Sequence, residues 1–125
     1  MFVEVMRSKI HRARVTDVAL DYEGSLTLDA DLMKAAGMLP YEKVMVANLD
    51  NGERFFTYII PADGGTGTVQ LNGAAARLGK TGDIVILFTF AGLPLDQASS
   101  HQPRVVLVDE ENRITGTSGP VPPGE

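Results

Sequence analysis

The chain has no cysteine among its 125 residues, so disulfides and thiolate metal sites are excluded. It has no apolar run approaching the roughly 20 residues of a membrane-spanning helix. Residues 1–9 lack the basic-then-apolar order of a secretory leader. These absences lead us to expect a cytoplasmic protein with no membrane partner. Positive charge is also in short supply. Eleven Lys and Arg face sixteen Asp and Glu, a net charge of −5, and phosphate-rich partners need a basic face. Nucleic acid is therefore not expected. The same field repels small anions, so any anion site must be built locally. Lys9, His11, Arg12 and Arg14 are the densest cationic cluster available. No internal repeat is visible, and histidine occurs only twice.

What is present suits one ordinary soluble domain: 44% hydrophobic and 22% charged residues. Residues 2–7 and 10–18 are rich in apolar and β-branched residues with partial alternation, which predicts two strands interrupted near Ser8. Residues 21–24 read as a turn and 25–28 as a short strand. Asp29 is suited to cap a helix over 30–36 with Leu32, Met33, Ala35 and Ala36 on its buried stripe, and Gly37 to end it. Residues 43–49 and 53–60 flank Asp50-Asn51-Gly52, a strong hairpin signal because Asn and Gly tolerate positive φ. A glycine-rich loop spans 61–67, a strand 68–71, and a short helix or turn begins at Asn72. Residues 84–90 form a nearly all-apolar, hence central, strand, and 104–108 another. The last stretch, 116–125, is Gly, Pro, Ser and Thr with little to bury, and predicts a disordered tail after a domain spanning 1–115. Many short strands in so small a domain favour a closed barrel, which removes exposed edges. Pattern alone does not separate a barrel from a sandwich.

Four groups of residues could carry chemistry. A serine can attack the carbonyl before it through its own Oγ, and Gly24-Ser25 offers the backbone freedom this needs; most such pairs in turns are inert. Arg54, Thr57 and Tyr58 share one strand. Arg54 could clamp a carboxylate bidentately, whereas the plainer reading is an exposed strand face. Asn72-Gly73-Ala74-Ala75 could present backbone N–H groups to an anion, or simply turn the chain. Lys9 and His11, two apart, share a strand face that could equally be a solvated charged surface.

Taken together, Lys9-Ile10-His11-Arg12, Tyr22-Glu23-Gly24-Ser25, Asn51-Gly52, Arg54-Phe55, Thr57-Tyr58, Asn72-Gly73-Ala74-Ala75-Ala76 and Gly82-Asp83-Ile84-Val85 resemble the aspartate 1-decarboxylase family in order and spacing. The likeness extends over about residues 1–100. It implies a mainly β fold, a double-psi β-barrel with short helices, assembled as a homotetramer with active sites between subunits. It implies backbone cleavage between Gly24 and Ser25, with Ser25 becoming a pyruvoyl cofactor, and no metal or pyridoxal phosphate. The reaction implied is L-aspartate to β-alanine and CO₂, for pantothenate and coenzyme A synthesis. By the same resemblance Tyr58 is the proton donor, Thr57 assists cleavage and contacts substrate, Lys9 and Arg54 bind carboxylates, and the segment Asn72, Gly73, Ala74 and Ala75 contacts substrate. Asp21, Ala47 and Arg77 depart from the residues that family members often carry.

Thr57 and Tyr58 are neighbours in a strand and should face opposite ways. Their joint use implies a bulge, a sharp twist, or contacts that reach across subunits. Competing readings are a pyruvoyl decarboxylase for another amino acid, a non-catalytic barrel that never processes, and a nucleic-acid-binding barrel, which the charge disfavours.

Overall fold

A computed structural model describes residues 1–120. The chain is mainly β, and its strands join in one mixed nine-stranded sheet consistent with a double-psi β-barrel. In chain order the elements are β1 (Phe2–Arg14), β2 (Asp17–Ala19), β3 (Ser25–Asp29), α1 (Ala30–Ala36), β4 (Lys43–Asn48), β5 (Arg54–Ala62) and β6 (Val69–Asn72). They continue with a 3₁₀ turn (Gly73–Arg77), β7 (Ile84–Pro94), α2 (Leu95–Ala98), β8 (Arg104–Val108) and β9 (Ile114–Ser118). The strand order is β2-β6-β3-β5-β4-β7-β1-β8-β9.

Alternation decides which face each strand buries. On β3 and β6, Leu26, Leu28, Val69 and Leu71 are fully buried and point into the core. Ile59 on β5, Val44 and Val46 on β4, and Val85 and Leu87 on β7 join them, with Leu32 and Met33 of α1 closing one side. The helix has the expected bounds. Asp29 caps it by accepting from the Asp31 amide at 2.7 Å, and Gly37 ends it at φ 72°. Asp29 does more than cap. Its carboxylate, 3% exposed, also accepts from Gly65 N at 3.1 Å and Gly67 N at 2.8 Å. One side chain thus ties the glycine-rich loop to the start of the helix. The hairpin at Asp50-Asn51-Gly52 forms as expected, with Gly52 at φ 77°.

Two expectations are corrected. The interruption near Ser8 is not a strand break: β1 runs unbroken from Phe2 to Arg14 and absorbs the irregularity as register shifts between Met6 and Ser8 and between Ile10 and Ala13. Arg12, at φ 64°, supplies the second bulge. Residues 116–118 are not a disordered tail but part of β9, paired with β8. Main-chain hydrogen bonds hold this segment, and the Arg104 guanidinium donates to Gly119 O at 2.7 Å. Composition registers side-chain burial and so missed it. The rest of the expected tail, 121–125, lies outside the described residues.

Because Asp29 satisfies three backbone amides at once, Asp29→Ala orphans all three. We expect a loss of about 2–3 kcal/mol, from the cap and the unpaired buried N–H groups together, read as a lower urea midpoint. A loss under about 0.5 kcal/mol would show that the loop re-forms without this anchor.

Candidate active site

The Gly24–Ser25 bond sits where the exposed turn after β2 enters β3. Gly24 is exposed and Ser25 is fully buried, so burial changes abruptly across one peptide unit. Ser25 pairs with Asn72, and Thr27 with Gln70, across the antiparallel β3–β6 ladder. These four polar residues therefore form a square on the face of the ladder opposite the leucine core.

The hydroxyl of Ser25 is held from two sides. It donates to Glu23 O at 3.1 Å and accepts from Asn72 Nδ2 at 2.9 Å. The other Nδ2 hydrogen of Asn72 goes to Thr27 Oγ1 at 2.7 Å, and Asn72 Oδ1 accepts from Gln70 Nε2 at 2.7 Å. Every polar atom of the buried Asn72 side chain is thus engaged. Its amide lies on Ser25, a contact not anticipated when the 72–75 segment was read as a backbone anion cradle.

Gly73 explains how the turn can lie so close. At φ 62° it occupies backbone space that L-residues avoid. A Cβ there would meet Gly24 Cα and Gly24 N at 2.7 Å and Tyr22 O at 2.8 Å. The missing side chain is what lets residues 22–24 rest on the start of the 3₁₀ turn. An open cavity of about 380 Å³, lined by Asp21, Tyr22, Glu23 and Ile60, lies alongside the same turn.

Strand β5 lies on the other side of β3, in parallel, with Leu26 opposite Ile59. Carried back one residue to the start of β3, that register sets Ser25 level with Tyr58. Thr57 stands opposite the buried Val44 and faces the core, whereas Tyr58 stands opposite the exposed Lys43. Tyr58 therefore shares the face of Ser25. The β4–β5 register runs from Lys43–Tyr58 to Ala47–Arg54 without a shift, so of the three alternatives, a bulge, a sharp twist or contacts across subunits, a bulge at the 57–58 step is ruled out. Continuous pairing on β5 leaves no room for an extra residue. No hydrogen bond joins Thr57 to Gly24 among the described residues.

The cationic candidates lie elsewhere in the chain. Arg54 is exposed, four residues along β5 from Tyr58, about 13 Å at strand spacing. Lys9 is on β1, four strands from β3 in the sheet order, with its ammonium 5.9 Å from the centre of the Phe88 ring. The one ion pair among the described residues is Arg7–Glu42 at 3.2 Å, which leaves Lys9 and Arg54 without carboxylate partners. His11 lines a cavity of about 170 Å³ none of whose residues belongs to β3 or β6. Its Nδ1 is buried without a partner among the described residues. Burial first, then the charges of Lys9 and Arg12, hold its pKa below the usual imidazole value. Ala74 is exposed and Ala75 buried at the start of the 3₁₀ turn. Among the described residues no cluster of three or more His, Asp or Glu is arranged to hold a metal.

Sequence reasoning passed over Gln70 and Thr27. The signal was present as two alternate-residue pairs, Ser25/Thr27 and Gln70/Asn72, but nothing local says that these two strands are partners.

A sequence model of the aspartate decarboxylase family matches residues 1–115. An aspartate 1-decarboxylase of Caldicellulosiruptor bescii is 52% identical over 118 residues, covering 94% of this chain and 92% of its own. One from Geobacillus sp. is 52% identical over 114 residues, covering 91% and 90% respectively. One from Leptospira biflexa is 55% identical over 114 residues, covering 90% and 97%.

The packing of Gly73 on Gly24 can be tested without reference to activity. Gly73→Ala adds backbone strain and pushes the turn away. We expect about 1–2 kcal/mol lower stability and faster hydrogen exchange at the Ser25 amide. Unchanged exchange there would mean that the turn is held by other contacts.

Proposed function

The chain belongs to the aspartate decarboxylase family and is a decarboxylase, and from this we propose that it makes its own catalytic group by cleaving the Gly24–Ser25 bond. The observation that carries the proposal is the hydroxyl of Ser25: fully buried, one residue past an exposed glycine, and fixed between the Glu23 carbonyl and the Asn72 amide. Ser25 Oγ attacks the Gly24 carbonyl, and the peptide becomes an ester with a free amine on residue 25. Loss of the Ser25 α-proton and departure of Gly24 as a carboxylate leave a dehydroalanine. Water then replaces its nitrogen, which leaves as ammonia, and a pyruvoyl group remains. The residues present fit a group of this kind, since it is formed from the chain itself in a polar pocket on the β3–β6 face. Once formed, its ketone supplies the electron sink for decarboxylation.

The family likeness assigns roles to the other residues. Thr57, the neighbour of Tyr58 on β5, is the donor for the oxyanion that grows on the scissile carbonyl. Tyr58, level with Ser25 on the same face, holds the proton that replaces the lost carboxylate. Asn72 and the backbone of Gly73, Ala74 and Ala75 border the substrate. Lys9 and Arg54 bind the two carboxylates of L-aspartate, which must be captured locally against a net charge of −5.

Within one chain Arg54 lies about 13 Å along β5 from Tyr58 at strand spacing, and Lys9 stands four strands from β3 in the sheet order. We therefore assign the complete site to a homotetramer, in which neighbouring copies supply these cations. The outer face supports this. Phe56, Met45, Phe88 and Lys9 form one row across four strands. Phe56 is 56% exposed and Tyr41 75%, Phe88 stacks on Phe90 at 6.4 Å, and Lys43 lies 4.5 Å over the Phe56 ring. An aromatic face this continuous is suited to be covered by another copy. The product, β-alanine, would serve pantothenate synthesis in the cytoplasm.

Intact-mass measurement of aged protein tests the first step. We expect fragments 1–24 and 25–125, the larger lighter by one ammonia than a fragment that begins with serine. Folded protein that stays full length and ignores hydrazine-type carbonyl reagents would end the proposal. Arg54→Ala should cleave normally yet show a KM for L-aspartate raised at least about tenfold, as for a lost charged hydrogen bond, or no turnover. Failure to cleave would instead give Arg54 a part in maturation.

A further inference from the structure

We propose that Gln70, seconded by Thr27, is a positioning residue for the breakage of the Gly24–Ser25 bond, acting through the orientation of the Asn72 amide; this rests on the self-cleavage reading above. Asn72 has one acceptor oxygen and one donor nitrogen with two hydrogens. Rotated by half a turn, the same side chain would fill the same space and present its oxygen to Ser25. Sterics alone do not decide between the two orientations. The partners decide, and they lie on the same face of β6 and β3. Gln70 Nε2 donates to Asn72 Oδ1 at 2.7 Å, which turns that oxygen away from Ser25. Thr27 Oγ1 receives one Nδ2 hydrogen at 2.7 Å, and the other falls on Ser25 Oγ at 2.9 Å. Gln70 is half-buried and stands directly opposite Thr27 in the ladder. The four side chains are therefore held by a register that the leucine core on the opposite face enforces.

The orientation matters most late in the reaction. Before attack, Ser25 Oγ gives its proton to Glu23 O and accepts from Asn72, keeping its second lone pair for the Gly24 carbonyl carbon. After the acyl shift Oγ is the bridging oxygen of an ester. Elimination breaks the Cβ–Oγ bond as the α-proton leaves, and the bonding electrons stay on Oγ, which becomes part of the Gly24 carboxylate. An N–H facing that oxygen stabilises the growing charge. A carbonyl oxygen in its place would repel it. A residue at position 70 that cannot donate would favour the reversed orientation and stall the chain at the ester.

Position 70 permits a substitution that keeps shape, reverses hydrogen-bond sense and adds one negative charge. Gln70→Glu accepts where glutamine donates, and the Thr27 variants perturb the same network with no change of charge. Purified full chains of wild type, Gln70→Glu, Thr27→Val and Thr27→Ser are aged and sampled by intact mass, with and without brief hydroxylamine treatment at neutral pH, which cuts an ester but spares the Asn51–Gly52 and Asn72–Gly73 amides that alkaline hydroxylamine would attack. The ester has the mass of the precursor, so hydroxylamine reveals it as new breakage at 24/25. We expect Gln70→Glu and Thr27→Val to slow spontaneous breakage about tenfold or more, with a rising hydroxylamine-sensitive fraction. Thr27→Ser, which restores the acceptor, should recover most of the rate. Should Gln70→Glu not fold, the Val and Ser variants at position 27 carry the test. Wild-type breakage matched by Gln70→Glu, or slowing without any ester, would overturn the assignment and leave self-cleavage standing. A wild type that never breaks would remove both.

Discussion

Ser25 reaches its position through the antiparallel ladder that pairs it with Asn72. Alternation then does two things at once. Leu26 and Leu28 turn into the core with Leu71 and Val69 and fix the register by burial, while Ser25 and Thr27 turn to the other face with Asn72 and Gln70. A slip by one residue would drive the serine hydroxyl into the leucine core and expose leucines in its place. The energy that holds the polar site is therefore largely hydrophobic and lies on the opposite side of the sheet.

Gly73 complements this from the chain's side. It stands immediately after Asn72, so one segment both holds the serine and makes room for the turn before it. Gly24 lies at the junction of an exposed turn and a buried strand. The two glycines face each other.

Charge is distributed by the same logic. The chain is acidic overall, yet Lys9 and Arg54 stand on the outer sheet face without carboxylate partners among the described residues, and Lys9 and Lys43 lie over aromatic rings. Cations on an aromatic surface keep their charge at low desolvation cost and can be presented to a neighbour. Burial first, and then this crowding of positive charge on β1, lowers the His11 pKa.

The linear sequence was enough to mark the helix 30–36 with its Asp29 cap and Gly37 stop, the Asp50-Asn51-Gly52 hairpin, the strands at 84 and 104, and the family, because caps, turns and alternation act over a few residues and motif order needs no geometry. It was also enough to single out Gly24, Ser25, Thr57, Tyr58 and Asn72. It did not reveal the bulged continuity of β1, the pairing of 116–118 as β9, or the partnership of β3 with β6, since each depends on a strand far away in the chain. The Thr57–Tyr58 step shows the limit most plainly: alternation correctly set the two on opposite faces, but only the neighbouring strands say that one faces the core and the other shares the face of Ser25. Likewise Gln70 had no local mark, because its hydrogen bond to Asn72 gains meaning only when a strand more than forty residues earlier brings Ser25 and Thr27 against it. Local propensities wrote the elements; long-range register, set by burial of the leucine face, decided which side chains meet.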